Sequence, residues 1–229
     1  MIYIVVFTVL FIIIFPSIWI KRTIKKHSKE LLELPGTGSE FAEHLIKRFK
    51  LEGVKVEMTT QAGDHYSPDE KIVRLSPDNF NGRSISAVTI AAHEVGHAIQ
   101  YHFDEPITQL RQKYTPIAIM VEKLSIGLIS LCPILIAIFK MPQIGLISIL
   151  AGIIALLVSV ILQFIILPME WDASFNKAYP IIEKGEYLSE QQLPAVKKIL
   201  RAAAMTYFAA TLSSILSVWR WLAILKGVR

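Results

Sequence analysis

The sequence predicts an α-helical integral membrane protein with about four transmembrane helices and a small α+β region outside the bilayer. Its 229 residues are 53% hydrophobic, and its mean hydropathy of +0.47 is typical of a membrane protein. Lys and Arg residues cluster beside the long apolar runs. In that position they are topology signals, so the net charge of +5 does not indicate nucleic-acid binding. We expect the lipid bilayer, and not nucleic acid, to be a partner.

The first element is an apolar segment at residues 1–20, which is long enough to span a bilayer because about 20 residues are needed. It lacks the basic start and small-residue exit of a cleaved signal peptide, so we predict an uncleaved anchor. A cluster of basic residues follows, and the positive-inside rule therefore places this end in the cytoplasm and the N-terminus outside. The cluster consists of Lys21, Arg22, Lys25, Lys26 and Lys29.

A polar region at residues 21–116 carries signals for helices and strands. Ser39 is the expected cap of its first helix, because acidic residues follow it and apolar residues recur at helical spacing. Residues 54–58 and 72–75 are rich in β-branched side chains. We expect these two segments to be strands that form a short β-hairpin.

The segment around His93, Glu94 and His97 predicts a metal site. Glu94 is its only charged residue, no proline interrupts it, and Ser84 or Ser86 is expected to cap the helix. The two histidines lie one turn apart, so both imidazoles can bind one ion from the same face, with Glu94 about 100° around the helix. This H-E-x-x-H spacing is typical of zinc metalloproteases. The alternatives are a chance match and a helix whose histidines pack without a metal.

Together the strands and this helix predict a zincin-like catalytic region on the cytoplasmic side. A sheet edge in such a region can hold an extended peptide by backbone hydrogen bonds. His65 and Tyr66 lie in the turn-rich link between the predicted strands, and either could donate a hydrogen bond to the oxyanion of peptide hydrolysis. The alternative for this pair is a structural role. Gly96 costs helix stability and is expected to allow close approach of another chain segment.

The second half of the chain is mostly apolar. Residues 117–168 contain two apolar runs with a turn near Pro142, and their lengths predict a transmembrane helical hairpin. Residues 169–201 are polar and basic, as expected for a second cytoplasmic segment that is largely helical. Residues 202–229 are apolar again, but Arg220 interrupts them, so this run either crosses the membrane or bends back into its interface.

A catalytic zinc ion commonly takes three protein ligands and one water. Glu170 is the predicted third ligand, because the apolar hairpin returns the chain to the side that holds the histidines. Pro168 favours a helix start, so we expect Glu170 in an opening turn, where the alternative role is a partner of the helix dipole. Asp172 lies about 200° from Glu170 and is expected to be such a dipole partner or to support a ligand from outside the coordination sphere.

With these residues in place, the sequence resembles the YugP-like family of bacterial membrane zinc metallopeptidases. The resemblance covers nearly the whole chain and consists of several separate motifs in the same order. The matching stretches are Asp64-His65-Tyr66-Ser67-Pro68, Val73-Arg74-Leu75-Ser76-Pro77, Gly82-Arg83-Ser84, His93-Glu94-Val95-Gly96-His97-Ala98-Ile99-Gln100, Leu167-Pro168-Met169-Glu170-Trp171-Asp172-Ala173-Ser174 and Ala202-Ala203-Ala204-Met205-Thr206-Tyr207.

This resemblance implies a small multi-pass protein of the bacterial plasma membrane that binds one zinc ion and is similar in plan to the HtpX-type proteases. In those proteases an Ala-Asp pair shortly follows the glutamate ligand. In this chain Ser174 follows Ala173 instead, which makes Ser174 a candidate for outer support of the first histidine.

The expected function is hydrolysis of peptide bonds, with membrane proteins or their exposed segments as substrates at the cytoplasmic face. His93, His97 and Glu170 would hold the zinc ion, while Glu94 would act as general base on zinc-activated water. One alternative is an intramembrane protease of the site-2 type, although the Leu-Asp-Gly and Asn-Pro-Asp-Gly contexts of that class are absent. Another is a non-catalytic membrane adaptor stabilised by zinc, in which Glu94 has no task. The oligomeric state and the physiological substrate stay open.

Overall fold

The computed structural model describes residues 2–59, 63–206 and 208–209. Contacts between Cα atoms divide the chain into two compact units. We refer to them as the apolar unit and the α/β unit. The apolar unit comprises the described residues of Met1–Ser17, Leu110–Leu167 and Thr206–Arg229, and the α/β unit comprises those of Ile18–Gln109 and Pro168–Met205.

The predicted apolar hairpin is confirmed as two long helices, Thr108–Phe139 (α5) and Pro142–Trp171 (α6). Helix α5 begins at Thr108 rather than near residue 117. Within the described residues, α5 and the continuous helical stretch Pro142–Lys184 are the two helices long and apolar enough to cross a membrane. Their most apolar stretches have mean hydropathies of 2.0 and 2.9.

Small and hydroxylated residues hold α5 and α6 together. The Ser125 hydroxyl donates to the carbonyl of Gly152 at 2.7 Å, and the Ser159 hydroxyl donates to that of Ala118 at 3.1 Å. A side chain at Gly152 would clash with Ile129. Such close backbone approach and interhelical hydrogen bonding is how helices associate in lipid, where the hydrophobic effect provides no driving force.

The segment predicted as an anchor is helical, and its helix Ile2–Lys26 (α1) continues through the first part of the basic cluster. That α1 crosses the membrane stays a prediction. The predicted fourth transmembrane or interfacial helix, at residues 202–229, falls largely outside the described residues.

The α/β unit contains a three-stranded sheet made of Lys55–Met58 (β1), His65–Ser67 (β2) and Ile72–Leu75 (β3), with β3 in the centre. Strand β1 is parallel to β3, whereas β2 is antiparallel to it, and Tyr66 lies opposite Val73. The two predicted strands exist, but the expectation that they form a hairpin with each other is wrong. The antiparallel partner of β3 is β2, which lies in the turn-rich link between the two predicted strands.

The helix before the sheet, Gly38–Arg48 (α2), is capped by Thr37 and not by Ser39 as predicted. The Thr37 hydroxyl accepts from the Glu40 amide at 3.3 Å, and the Glu40 carboxylate accepts from the Thr37 amide at 2.7 Å. This reciprocal capping box satisfies two backbone donors at once, which a cap at Ser39 would not do. Ser39 instead lies in the first turn, where its hydroxyl contacts that of Thr37 at 2.9 Å.

After the short helix Pro77–Asn81 (α3), the helix Ile85–His102 (α4) forms the centre of the α/β unit. The Ser84 hydroxyl accepts from the Ala87 amide at 3.1 Å, which confirms Ser84 as the cap. Every residue from Ser86 to Gln100 is buried, so α4 has no solvent-facing side along this stretch. Fully buried apolar side chains from the surrounding elements form the core with it, among them Leu45, Val73, Leu75, Ile182 and Ile199.

The chain enters the α/β unit for the second time at the end of α6. Here α6 continues without a break into a π-helix, Asp172–Ala178 (π1), and then into Tyr179–Lys184 (α7), and Leu193–Ala204 (α8) follows. Pro168 therefore lies inside α6, and Glu170 lies in its last turn rather than in an opening turn as predicted. Proline signals a helix start only where the preceding residues are not helical, and here the preceding apolar run is itself helix.

Candidate metal centre

His93, His97 and Glu170 lie together in the α/β unit, and one possible ligand atom from each residue lies within 4.8 Å of the other two. The Glu170 Oε2 atom is 3.5 Å from His93 Nε2 and 3.1 Å from His97 Nε2. In a tetrahedral zinc site with bonds of about 2.0–2.1 Å, ligand atoms lie roughly 3.3–3.4 Å apart. The spacing of these three atoms therefore fits a single ion. All three side chains are buried, with at most 3% of each residue exposed.

Gln100 determines which nitrogen of His97 carries the proton. The Gln100 Nε2 group donates to the Met169 carbonyl at 3.0 Å and to Asp172 Oδ2 at 2.8 Å, and both of these oxygens can only accept. The amide oxygen of Gln100 therefore faces His97 Nδ1 at 2.9 Å, and that nitrogen must be the donor. In neutral His97 the lone pair is then on Nε2, the atom that faces Glu170.

Ser174 determines the proton position on His93 in the same way. Its hydroxyl donates to the Leu200 carbonyl at 3.3 Å, so it accepts from His93 Nδ1 at 3.1 Å. A hydroxyl can donate only one hydrogen bond, and the Ser174 hydroxyl donates it to the Leu200 carbonyl. The lone pair of neutral His93 is thus also on Nε2. Ser174 is completely buried, as is expected for a residue whose polar contacts are both internal.

The chemistry of this donor set fits a bound divalent cation. Two imidazole lone pairs face one carboxylate oxygen at 3.5 and 3.1 Å in a buried site, where the repulsion between these groups is only weakly screened. A cation between them turns this repulsion into attraction. Two histidines and one glutamate are also a common ligand set of catalytic zinc, which keeps a fourth position for water or substrate.

Close packing of α4 against π1 brings the ligands together. A Cβ atom added to Gly96 would lie 2.8 Å from the carbonyl oxygen of Ala173, closer than real Cβ contacts allow. Gly96 was expected to permit such an approach, and the structure identifies Ala173 as the neighbour. Because Glu170 lies one helical turn before Ala173 and Ser174 directly follows it, this contact places both of them beside the histidines of α4.

Glu94 directly follows His93 on α4 and is 6% exposed. Its position is therefore that of the H-E-x-x-H glutamate, about 100° around the helix from the first histidine. Its role as general base is a prediction that geometry alone does not test.

The structure places His65 and Tyr66 on β2, in the same unit as the three ligands. His65 Nδ1 lies 2.8 Å from the carbonyl oxygen of Gly63, which is just before β2. Tyr66 is 3% exposed, and its ring centroid lies 5.8 Å from that of Tyr101. Burial, and secondarily the neighbouring Tyr101, raises the pKa of the Tyr66 phenol, which therefore remains a protonated donor at neutral pH. Their proposed contact with a reaction oxyanion stays a prediction.

Sequence reasoning did not assign a role to Gln100 or to Lys177, although both contribute to the surroundings of the ligands. A signal for Gln100 was available, because side chains three positions apart on a helix share a face. Asp172, expected as a dipole partner or outer support, accepts hydrogen bonds from both Gln100 and Lys177. No comparable signal existed for Lys177, which lies five positions after Asp172.

Comparison with known proteins gives a family for the chain. Residues 2–226 match the sequence profile of a family described as "putative neutral zinc metallopeptidase". The chain is 34% identical over 211 residues to "Putative membrane protease YugP" of Bacillus subtilis (strain 168), and the match covers 92% of this chain and 90% of that protein. No solved structure matches the chain significantly. The chain therefore belongs to the neutral zinc metallopeptidase family.

Proposed function

We propose that this protein is a zinc-dependent endopeptidase of the bacterial plasma membrane. The observation that carries the proposal is the convergence of His93 Nε2, His97 Nε2 and Glu170 Oε2 in a buried site. Family membership and the position of Glu94 support a hydrolytic role for this site. We infer that one Zn²⁺ ion is the cofactor, held by these three side chains with a fourth position left for water or substrate.

The bound ion would supply Lewis-acid chemistry, since zinc polarises a peptide carbonyl and makes water more acidic. Glu94 takes the proton of the attacking water and passes it to the leaving nitrogen. His93 and His97 present their Nε2 lone pairs, because Ser174 and Gln100 hold the protons on the opposite nitrogens. The low exposure of the site strengthens each of these electrostatic interactions.

The substrates we propose are peptide segments of membrane proteins. The α/β unit has two sheet edges, β1 and β2, and either can pair with an extended peptide through backbone hydrogen bonds. Two helices apolar enough to cross a bilayer and a relative named as a membrane protease support a membrane location. The exposed basic residues from Lys21 to Lys29 favour a cytoplasmic position for the site and an N-terminus outside.

The test compares the purified wild-type protein with Glu94→Gln in detergent. Bound zinc is measured by mass spectrometry, and cleavage of unfolded casein is followed with and without a chelator. We expect about one zinc per chain in both proteins and chelator-sensitive cleavage in the wild type only. Zinc in both proteins with no cleavage by either would favour a protein that keeps zinc for its fold. Absence of zinc from the wild type would overturn the proposal.

A further inference from the structure

Behind the ligand His97, a series of polar contacts leads to residues that the proposed reaction does not use. Gln100 Nε2 donates to Asp172 Oδ2 at 2.8 Å, and the Lys177 ammonium donates to the same oxygen at 2.6 Å. Lys177 also donates to Glu105 Oε2 at 2.9 Å. The contacts therefore run from His97 through Gln100, Asp172 and Lys177 to Glu105, just after the end of α4. We call this series the His97 relay.

We propose that Asp172 and Lys177 are positioning residues, which fix the orientation and the tautomer of His97 through Gln100. The proposal rests on the zinc site proposed above. Its physical basis is that the Gln100 amide has two orientations, related by a half-turn about its last bond. In the observed one, the amide oxygen faces His97 Nδ1 and leaves the Nε2 lone pair for a metal.

The opposite orientation would be incompatible with metal binding. The Gln100 amino group would then face His97 Nδ1, which would have to accept, so that Nε2 would carry the proton. The Asp172 carboxylate and the Met169 carbonyl exclude this orientation because both present an oxygen to the amide. A flip would place oxygen against oxygen at the two contacts that measure 2.8 and 3.0 Å in the observed orientation, and it would lose both hydrogen bonds.

Lys177 holds the Asp172 carboxylate in the position that this selection requires. It donates to Oδ2, the oxygen that accepts from Gln100, while Asn176 donates to Oδ1 at 2.7 Å. The side chains of Asp172 and Lys177 are only 17% and 13% exposed, so their ion pair is shielded from solvent. Glu105 accepts a hydrogen bond from the same ammonium and thereby connects Lys177 to the segment that follows α4.

The π-helix is what makes this pairing possible. In an α-helix, residues five positions apart are rotated by about 140°, so their side chains do not meet. In a π-helix the backbone bonds connect positions five apart, which brings such residues onto one face. Asp172 and Lys177 are the first and sixth residues of π1, and their charged groups are in contact. The π-helical geometry of π1 therefore permits the contact between Asp172 and Lys177 in the His97 relay.

The experiment uses the full-length protein in detergent and four variants. Lys177→Met removes the ammonium at similar length, Lys177→Arg keeps the charge and the donors, and Lys184→Met is the matched control because Lys184 is exposed at the end of α7. In Gln100→Glu, the new carboxylate lies against the Asp172 carboxylate, where the wild type has an amide donor.

Two readouts are taken. Zinc affinity is measured by competition with a chelator, and the tautomer of His97 is read in the metal-free protein from the ¹⁵N shifts of labelled histidine. We expect Lys177→Met and Gln100→Glu to weaken zinc binding about 10- to 100-fold. The Lys177→Met protein should also gain the Nε2-protonated form. Lys177→Arg and Lys184→Met should stay near the wild type.

The outcomes separate this proposal from the proposed function. If the wild type binds zinc and Lys177→Met changes neither the affinity nor the tautomer, the relay proposal is overturned while the zinc site stands. If the wild type binds no zinc but the tautomer still shifts in Lys177→Met, the zinc proposal fails and the positioning role of Lys177 is supported.

Discussion

Gly96 and Ala173 are in direct backbone contact, and this contact joins the helix that carries both histidines to the segment that carries the glutamate. A Cβ atom at residue 96 would lie only 2.8 Å from the Ala173 carbonyl oxygen, which is too close for a real contact. Such a position accepts only glycine, because the obstacle is backbone rather than a flexible side chain. The spacing of the three ligand atoms therefore depends on a residue that donates nothing to the metal.

Gly96→Ala should separate α4 from π1 and weaken zinc binding by at least tenfold, with a destabilisation of about 1–3 kcal/mol from the overpacked contact. Chelator competition measures the zinc affinity, and the thermal unfolding midpoint in detergent measures the stability. Gly127→Ala is the matched control, since this helical glycine in α5 has open space around it. Equal zinc affinity in Gly96→Ala and Gly127→Ala would contradict the proposed role of the Gly96–Ala173 contact.

Glu170→Gln keeps the shape of the side chain but removes the charge that balances the ion. We expect it to lower zinc affinity by more than the 10- to 100-fold that is typical for residues outside the coordination sphere. The measurement is chelator competition on the purified protein. Glu190→Gln, which changes an exposed glutamate of the same unit, should leave the affinity unchanged. A Glu170→Gln protein with wild-type affinity would show that Glu170 is not a ligand.

Ser174→Ala removes the acceptor of His93 Nδ1 and the donor to the Leu200 carbonyl. The loss of two buried hydrogen bonds should lower the free energy of unfolding by about 1–3 kcal/mol, and zinc affinity should fall about 10- to 100-fold. Denaturant unfolding of the metal-free protein separates the first effect from the second. Ser189→Ala, at an exposed position, should change neither quantity. A Ser174→Ala protein that loses stability but binds zinc normally would confine Ser174 to a structural role.

The capping box of α2 gives a prediction that concerns the fold alone. Thr37→Ala should cost about 1 kcal/mol of stability, because it leaves the Glu40 amide without its acceptor. Glu40→Gln should cost less, since glutamine can also accept from the Thr37 amide. Thermal unfolding measures both changes. If Ser39→Ala were more destabilising than Thr37→Ala, the cap would be Ser39 after all.

The elements that the sequence predicted well are those whose signals are local and repeated. The helix of His93 and His97, its cap at Ser84, and the apolar hairpin all follow from uninterrupted runs with few breakers. A three-residue strand such as β2 has too few residues to show alternation, and the turn formers around it predict a loop. Its strand pairing comes from the central position of β3, which has a neighbour on each side.

Part of the site could also be anticipated. The return of the apolar hairpin led to Glu170 as a partner of His93 and His97, and the structure brings these three residues together. The contacts of Lys177 could not be foreseen, because helical periodicity of 3.6 residues places positions 172 and 177 on different faces. A single π-helical segment changes that geometry, and nothing in its composition distinguishes it from ordinary helix.

The burial of α4 has a consequence for the opening motions of the α/β unit. Because all residues from Ser86 to Gln100 are covered by other elements, this helix cannot fray or detach without opening the whole α/β unit. Its main-chain amides should therefore exchange with deuterated solvent only through the rarest, global openings. The histidines would then stay aligned for as long as the unit is folded, and the lifetime of the catalytic geometry would equal the lifetime of the native state.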